Sequence, residues 1–129
     1  MMASIRLLRR DGPTGVRLAW WTLRAYRRVR RQLTHGGPQA VRLPAPPTSG
    51  NPHIVLRALR RAGANCLERS LVRQRWYAAH RTSRTIVIGV TAPSDDFHAH
   101  AWLDGDIDVE AARMLEIHRY PAPDAWLAR

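Results

Sequence analysis

The chain has 129 residues, of which 45% are hydrophobic and 24% charged, a balance typical of one small folded, soluble domain. Its 21 basic residues, all of them arginines, exceed its 10 acidic residues and give a formal net charge of +11. This surplus favours acidic partners such as nucleic acid, anionic lipid or an acidic peptide, although a solvated arginine-rich surface has the same composition. No apolar run approaches the ~20 residues that cross a bilayer, so no transmembrane segment is expected.

The single cysteine, Cys66, excludes an internal disulfide and favours a reducing compartment. The first residues, MMASIRLLRRDG, contain charge but no long apolar core and no clear cleavage site, so we do not interpret them as a signal peptide. A cytoplasmic protein is therefore expected.

Two regions are expected along the chain, one over residues 1–50 and the other over residues 51–129. The first has apolar residues at roughly helical spacing and arginines on the remaining face: Val16, Trp20, Leu23, Tyr26 (or Arg27) and Leu33. This pattern predicts a basic amphipathic helix over 16–33, which packs on its own domain or binds a partner or a membrane surface. A Pro- and Gly-rich linker follows, THGGPQAVRLPAPPTSGNP, which breaks any regular element.

The second region begins with two predicted helices. The segment PHIVLRALRRAG has apolar residues at helical positions and ends in Gly63, the residue type favoured just past a helix end. The next helix starts in NCLERSLV, where Asn65 is a good N-cap and Glu68 has the spacing of a capping box. We expect Leu67 and Leu71 on the buried face of this second helix.

Three strands are expected after these helices. The segment RTIVIGVTA is rich in β-branched residues and predicts a buried strand, and FHAHAWL alternates as a second strand. Asp104-Gly105 is a strong hairpin signal, so DIDVE is predicted to return as a third strand beside the second. The last segment, AARMLEIHRYPAPDAWLAR, fits either a strand or a helix.

The helix start at Asn65 makes Cys66 a candidate nucleophile. At the first helical position, free backbone N–H groups and the positive end of the helix dipole stabilise a thiolate and could bind an oxyanion. The required base is available on the predicted second strand, where His98 and His100 share one face. Two other interpretations remain. One is a buried, inert thiol, and the other is a zinc site of these three residues, which lacks a CxxC motif and a fourth ligand.

Three motifs occur together between roughly residues 50 and 112: Cys66-Leu67-x-Arg69-Ser70-Leu71, a strand ending Ile88-Gly89-Val90, and Phe97-x-Ala99-His100-Ala101-Trp102. In this order they resemble the transglutaminase-like (papain-like) cysteine peptidases of lasso-peptide biosynthesis, the leader-peptidase part of the lasso-peptide B protein. The resemblance implies an α+β fold in which a nucleophile helix packs on a small antiparallel sheet, here preceded by the basic helix. It also implies a Cys-His-Asp triad that cuts the leader from a ribosomally made precursor peptide. No cofactor and no metal are expected.

In the implied triad, Cys66 attacks the peptide carbonyl, and His100 deprotonates the thiol and later protonates the leaving amine. His98 falls at a variable position of the family and is left out. The family's aspartate follows the histidine at a greater distance than the aspartates do here. A shortened hairpin with a three-residue loop would put Asp108 on the face of His100, so Asp108 is the predicted third member. Asp106 and Glu110 are the alternatives, and acids that merely face water are a further interpretation.

The resemblance also implies partners. These are the precursor peptide, a separate leader-recognition protein, and a lasso cyclase related to asparagine synthetase. The region before residue 50 is too short and too arginine-rich to be the recognition domain, so a stand-alone peptidase half is expected, with the helix over 16–33 as a dock. Two other functions remain open, a catalytically inactive scaffold of the same fold and an arginine-rich nucleic-acid-binding protein. DNA is not expected, because the arginines are spread along the chain without an aromatic-basic recognition motif.

Overall fold

The computed structural model describes residues 2–92 and 96–127, with side chains from residue 12 onwards. The helices are α1 (Met2–Leu33), α2 (Pro52–Ala62), α3 (Cys66–Ala79) and α4 (Asp124–Leu127), and the strands are β1 (Ile86–Thr91), β2 (Ala99–Leu103) and β3 (Met114–Tyr120). Short 3₁₀ turns lie at Pro38–Ala40 and Ala111–Arg113. The predicted α+β class is confirmed, with α3 packed on a small antiparallel sheet.

The basic helix predicted over 16–33 lies within α1, which is broken at Gly12, where φ is 61° and Pro13 follows. The predicted buried face of this helix is wrong in part. Val16 and Trp20 are 55% and 63% exposed, whereas the residues that enter the core are Leu18, Trp21, Ala25, Tyr26 and Val29. The helix carries apolar side chains on more than one face, and one of these faces is buried where α1 packs against α2 and α3.

The predicted linker packs back onto α1 and α3. Val41 and Leu43 belong to the core, and the carbonyls of Leu43 and Pro44 accept hydrogen bonds from the side chains of Arg75 (3.1 Å) and Trp21 (3.2 Å). The same hydrophobic cluster contains residues of α2, α3 and the sheet. The core therefore extends across the predicted boundary at residue 50.

The two predicted helices after residue 51 are confirmed. Gly63 ends α2 in the left-handed conformation, with φ at 80°. A complete capping box begins α3, because the N–H of Glu68 donates to Asn65 Oδ1 (2.9 Å) and the N–H of Asn65 donates to Glu68 Oε1 (2.8 Å). Cys66 is consequently fixed as the first helical residue.

The sheet has the order β2-β1-β3, and both outer strands pair antiparallel with β1. The first two predicted strands are confirmed, but the predicted third strand, DIDVE, is wrong. The chain turns at Asp104-Gly105, where Gly105 has φ at 98°, and then continues without strand structure to Met114. The third strand is β3, which lies in the segment that the sequence left ambiguous and pairs with β1 rather than β2.

The physical reason lies in the Asp106 side chain. It turns toward α3 and forms ion pairs with Arg73 and Arg84, so the chain leaves the edge of β2 instead of folding back along it. Within the part of the chain that the structure describes, no helix is both long enough and apolar enough to span a membrane.

Removal of the cap should destabilise the protein. We expect Asn65→Ala to lower the free energy of unfolding by about 1 kcal/mol, because the N–H of Glu68 loses its acceptor. Urea unfolding of the wild type and the variant measures the change. Asn65→Asp is the matched control, since it retains a side-chain acceptor and should remain close to wild-type stability. Equal stability of Asn65→Ala and the wild type would contradict the role of the cap.

Candidate active site

The sole thiol lies where the start of α3 meets the edge strand β2. Cys66 is half-buried and unpaired, and its Sγ accepts a hydrogen bond from the backbone N–H of Ala101 at 3.3 Å. Because β2 is at the edge of the sheet, its outward N–H groups have no strand partner, and one of them is available to the sulfur. The carbonyl of Cys66 accepts from Ser70 Oγ at 2.8 Å, one helical turn further on. The thiol is therefore held one residue away from His100 along β2.

The imidazole of His100 is bound to Asp108. The distance from His100 Nε2 to Asp108 Oδ2 is 2.7 Å, and the two side chains are only 12% and 21% exposed. The other carboxylate oxygen, Oδ1, accepts from the backbone N–H groups of Glu110 (2.9 Å) and Ala111 (3.2 Å). A carboxylate with three donors is fixed in position, and so is the ring that it contacts.

The protonation of Asp108 follows from these contacts. Burial raises the pKa of Asp108, but the hydrogen bonds from His100 and from the backbone outweigh burial and bring the pKa below its ordinary value. The side chain is therefore an anion at neutral pH. An anionic acceptor at Nε2 favours the tautomer of a neutral imidazole with its proton on Nε2, which leaves Nδ1 as a proton acceptor.

The three predicted catalytic residues line the same cleft. Cys66, His100 and Asp108 border a cavity of about 220 Å³ between α2, α3 and the chain after β2. Asp108 reaches His100 from irregular structure after the Asp104-Gly105 turn, not from a paired strand, so the register argument that selected it does not describe its position. His98 is exposed, and its backbone N–H donates to Thr91.

The two alternative acids have different surroundings. Asp106 faces Arg73 and Arg84, not His100. Glu110 lies 3.5 Å from His100 Nδ1, measured from Oε2, but its side chain is 70% exposed. Asp108 therefore makes the shortest and most buried carboxylate contact with the histidine. Among the side chains of residues 12–92 and 96–127, no three from His, Cys, Asp or Glu are grouped as metal ligands.

A second set of charges anchors the chain beside the cleft. Asp106 accepts hydrogen bonds from Arg73 Nη1 (2.8 Å) and Nη2 (3.1 Å) and from Arg84 Nη2 (2.9 Å). Burial raises the pKa of Asp106, but the guanidinium groups of Arg73 and Arg84 lower it by more. The pKa of Asp106 is therefore below its ordinary value. Arg84 also donates to the carbonyl of Asp104 and lies over the ring of Tyr77. This cluster fixes the backbone two residues before Asp108.

Sequence reasoning missed this cluster, although one signal was present. Arg73 follows Cys66 by seven residues, two helical turns, and so lies on the same face of α3 as the thiol. An acid on the next segment that packs against this face was a natural partner for Arg73. Its identity could not be read from the sequence, because the partner lies on a non-helical segment.

Trp102 packs against the ring of His100, and Gly89 leaves room for the indole of Trp102. The ring of Trp102 stacks on that of His100, with centroids 5.7 Å apart and planes inclined by 23°. A Cβ at Gly89 would lie 2.9 Å from Trp102 ring carbons and 2.7 Å from the Cβ of Met114. Only glycine leaves room for the indole across β1, which gives the Ile88-Gly89-Val90 motif a steric purpose.

Comparison with known families gives one match. A family model described as the Transglutaminase-like superfamily matches residues 14–119, from within α1 to the second-last residue of β3. The chain therefore belongs to the transglutaminase-like superfamily, which includes cysteine peptidases. No match was found among curated proteins or among solved structures.

Loss of the Asp106 charge should destabilise the fold in a pH-dependent way. We expect Asp106→Asn to lower the free energy of unfolding at neutral pH by about 2 kcal/mol, because two guanidinium groups lose an ionised acceptor. The pKa of Asp106 is depressed, so this stability is fully present above the unfolded-state pKa near ~4 and is lost as the pH falls through the lower folded-state value.

Urea unfolding at several pH values measures the difference, which should shrink toward zero as the solution is acidified. Asp104→Asn is the matched control, since Asp104 forms an exposed ion pair with Arg119 and should contribute less than about 1 kcal/mol. Equal effects of the two substitutions, or an Asp106→Asn effect that is independent of pH, would contradict the anchoring role.

Proposed function

We propose that the protein is a cysteine peptidase in which Cys66 is the nucleophile, His100 the base and Asp108 the group that orients the base. The observation that carries this proposal is the 2.7 Å contact between His100 and Asp108 in the same cleft as a thiol at a helix start. An inactive scaffold has no need for a carboxylate held by three donors against this histidine. An inert, buried thiol would not line an open cleft.

In the first step, Nδ1 of His100 accepts the thiol proton, and the thiolate of Cys66 adds to the carbonyl carbon of a peptide bond. The positive end of α3 and its first free N–H groups stabilise the negative charge that moves to the carbonyl oxygen. The side chain of Asn65 already accepts the N–H of Glu68, so the N–H groups of Cys66 and Leu67 are the expected donors. Asp108 stabilises the imidazolium that forms.

In the second step, the imidazolium of His100 gives its proton to the leaving amine as the carbon–nitrogen bond breaks, and a thioester remains on Cys66. A water molecule then loses a proton to His100 and adds to the thioester carbon. Cleavage of the carbon–sulfur bond releases the carboxylic acid and restores the thiol. Asp108 keeps the ring in one orientation throughout, because its second oxygen is tied to the backbone.

We further propose that the substrate is a ribosomally made precursor peptide and that the enzyme removes its leader during lasso-peptide maturation, in the cytoplasm. The three motifs that resemble the leader peptidases of lasso-peptide biosynthesis support this, and Gly89, His100 and Trp102 of those motifs meet in the site. In this role the peptidase half, taken to be residues 51–129, acts with a separate leader-recognition protein. An asparagine-synthetase-like cyclase takes the released core peptide.

The exposed part of α1 offers a surface on which a partner protein can bind. Val16 and Trp20 are exposed, and Arg17, Arg24 and Arg28 line a groove with Trp20 and the proline-rich segment over 44–47. An apolar surface bordered by arginines is suited to a protein partner. In this proposal it receives the leader-recognition protein.

Mass spectrometry of candidate precursor peptides tests the peptidase. Each peptide is incubated with the leader-recognition protein and with one form of the enzyme. The forms are the wild type and the variants Cys66→Ala, Asp108→Asn and Asp104→Asn. We expect a leader-sized loss of mass with wild type and with Asp104→Asn, and none with Cys66→Ala. Asp108→Asn should lower kcat by about 10²–10⁴-fold, because the imidazole loses its orienting anion.

Two results would contradict the proposal. Cleavage that persists in Cys66→Ala would exclude the thiol as the nucleophile. Absence of cleavage of every precursor, together with a folded wild-type protein that binds nucleic acid with steep salt dependence, would favour the nucleic-acid-binding alternative.

A further inference from the structure

The cleft beside Cys66 is lined by arginines that have no role in the proposed catalytic steps. Three arginines line it, Arg60, Arg69 and Arg73, and two carboxylates line it, Asp106 and Asp108. Both carboxylates already have partners. Asp106 is bound by Arg73 and Arg84, and Asp108 is bound by His100.

This leaves Arg60 and Arg69 with uncompensated charge. Within residues 12–92 and 96–127, no carboxylate lies within ion-pair distance of either guanidinium group. Glu68 is adjacent to Arg69 in sequence, but its oxygens are used by the N–H of Asn65 and by Arg30. The two arginines therefore present a net positive charge to whatever enters the cleft.

The two arginines differ in how firmly they are held. Arg69 is half-buried, and its Nη1 donates to the carbonyl of Ala64 at 2.7 Å, which fixes the guanidinium group without neutralising its charge. Arg60 lies in the last turn of α2 and is exposed, so its side chain is free to adjust to a ligand. Together they flank the thiol from two helices, with Leu56 as an apolar neighbour in the lining.

We propose that Arg60 and Arg69 bind a carboxylate of the substrate within one or two residues of the bond that Cys66 attacks. This rests on the proposed peptidase function. A guanidinium group matches a carboxylate in shape and charge, with two parallel hydrogen bonds. The carboxylate comes from an Asp or Glu side chain or from a free peptide C-terminus, and the experiment below separates these sources.

The first measurement needs no peptide substrate. Cys66 is alkylated with iodoacetate, which carries a carboxylate, and in parallel with neutral iodoacetamide, and mass spectrometry follows both rates. We expect the iodoacetate-to-iodoacetamide rate ratio to fall about threefold in Arg60→Gln and in Arg69→Gln, because the anion loses a nearby positive charge. Arg61→Gln is the matched control, an exposed neighbour on α2 outside the cleft lining, and should keep the wild-type ratio.

The second measurement uses pairs of precursor-derived peptides with capped termini, incubated with the leader-recognition protein, that differ only by Glu or Gln beside the scissile bond. We expect wild type and Arg61→Gln to prefer the Glu peptide by about tenfold in kcat/KM, and Arg60→Gln to lose this preference. A third peptide, with Gln at that position and a free C-terminus near the bond, identifies the α-carboxylate as the ligand if it alone is preferred. Thermal unfolding by circular dichroism verifies that the variants are folded.

The results distinguish this inference from the proposed function. Cleavage without a charge preference, with equal alkylation ratios in all variants, would overturn the carboxylate site and leave the peptidase intact. No cleavage, with an alkylation ratio that falls only in Arg60→Gln and Arg69→Gln, would overturn the peptidase and support a carboxylate site beside Cys66.

Discussion

The ion pairs of Asp106 with Arg73 and Arg84 determine the path of the chain around the site. They draw the segment after β2 onto α3, so this segment does not fold back as a hairpin strand. The same path brings the carboxylate of Asp108 to Nε2 of His100, while β3 pairs with the edge of β1 opposite β2. Because the anchoring carboxylate is mostly buried between two guanidinium groups, the loop that carries Asp108 is fixed without being part of the sheet.

Cys66 is positioned by residues close to it in sequence, whereas His100 is positioned by contacts between distant segments. The position of Cys66 follows from four residues at the start of α3, whose capping box is complete in itself. The position of His100 depends on the sheet, on Trp102 and on the absence of a Cβ at Gly89. The arginines of the chain have several different environments. Arg73 and Arg84 bind Asp106, and others line the surface of α1. Arg60 and Arg69 line the cleft, and neither has a carboxylate partner in the described chain.

The same division explains what could be predicted from the sequence. Asn65, Glu68 and Gly63 are short-range signals, and both helix boundaries that they mark are confirmed. The buried face of α1 and the partner of β3 depend on packing between distant segments, which periodicity does not encode. Asp108 is predicted from a hairpin that does not form, and its contact with His100 arises through the Asp106 ion pairs, of which only Arg73, on the Cys66 face of α3, is signalled by the sequence.

The central claim is that Cys66 and His100 act as a pair, and the rate of Cys66 alkylation by iodoacetamide as a function of pH tests it most directly. In the proposed pair His100 takes the thiol proton, so at neutral pH the wild-type protein should react about tenfold faster than His100→Gln. The two rates should converge in alkaline solution, where any exposed thiol is ionised. Identical profiles for the wild type and His100→Gln would contradict the pairing and, with it, the assignment of the cleft as a catalytic centre.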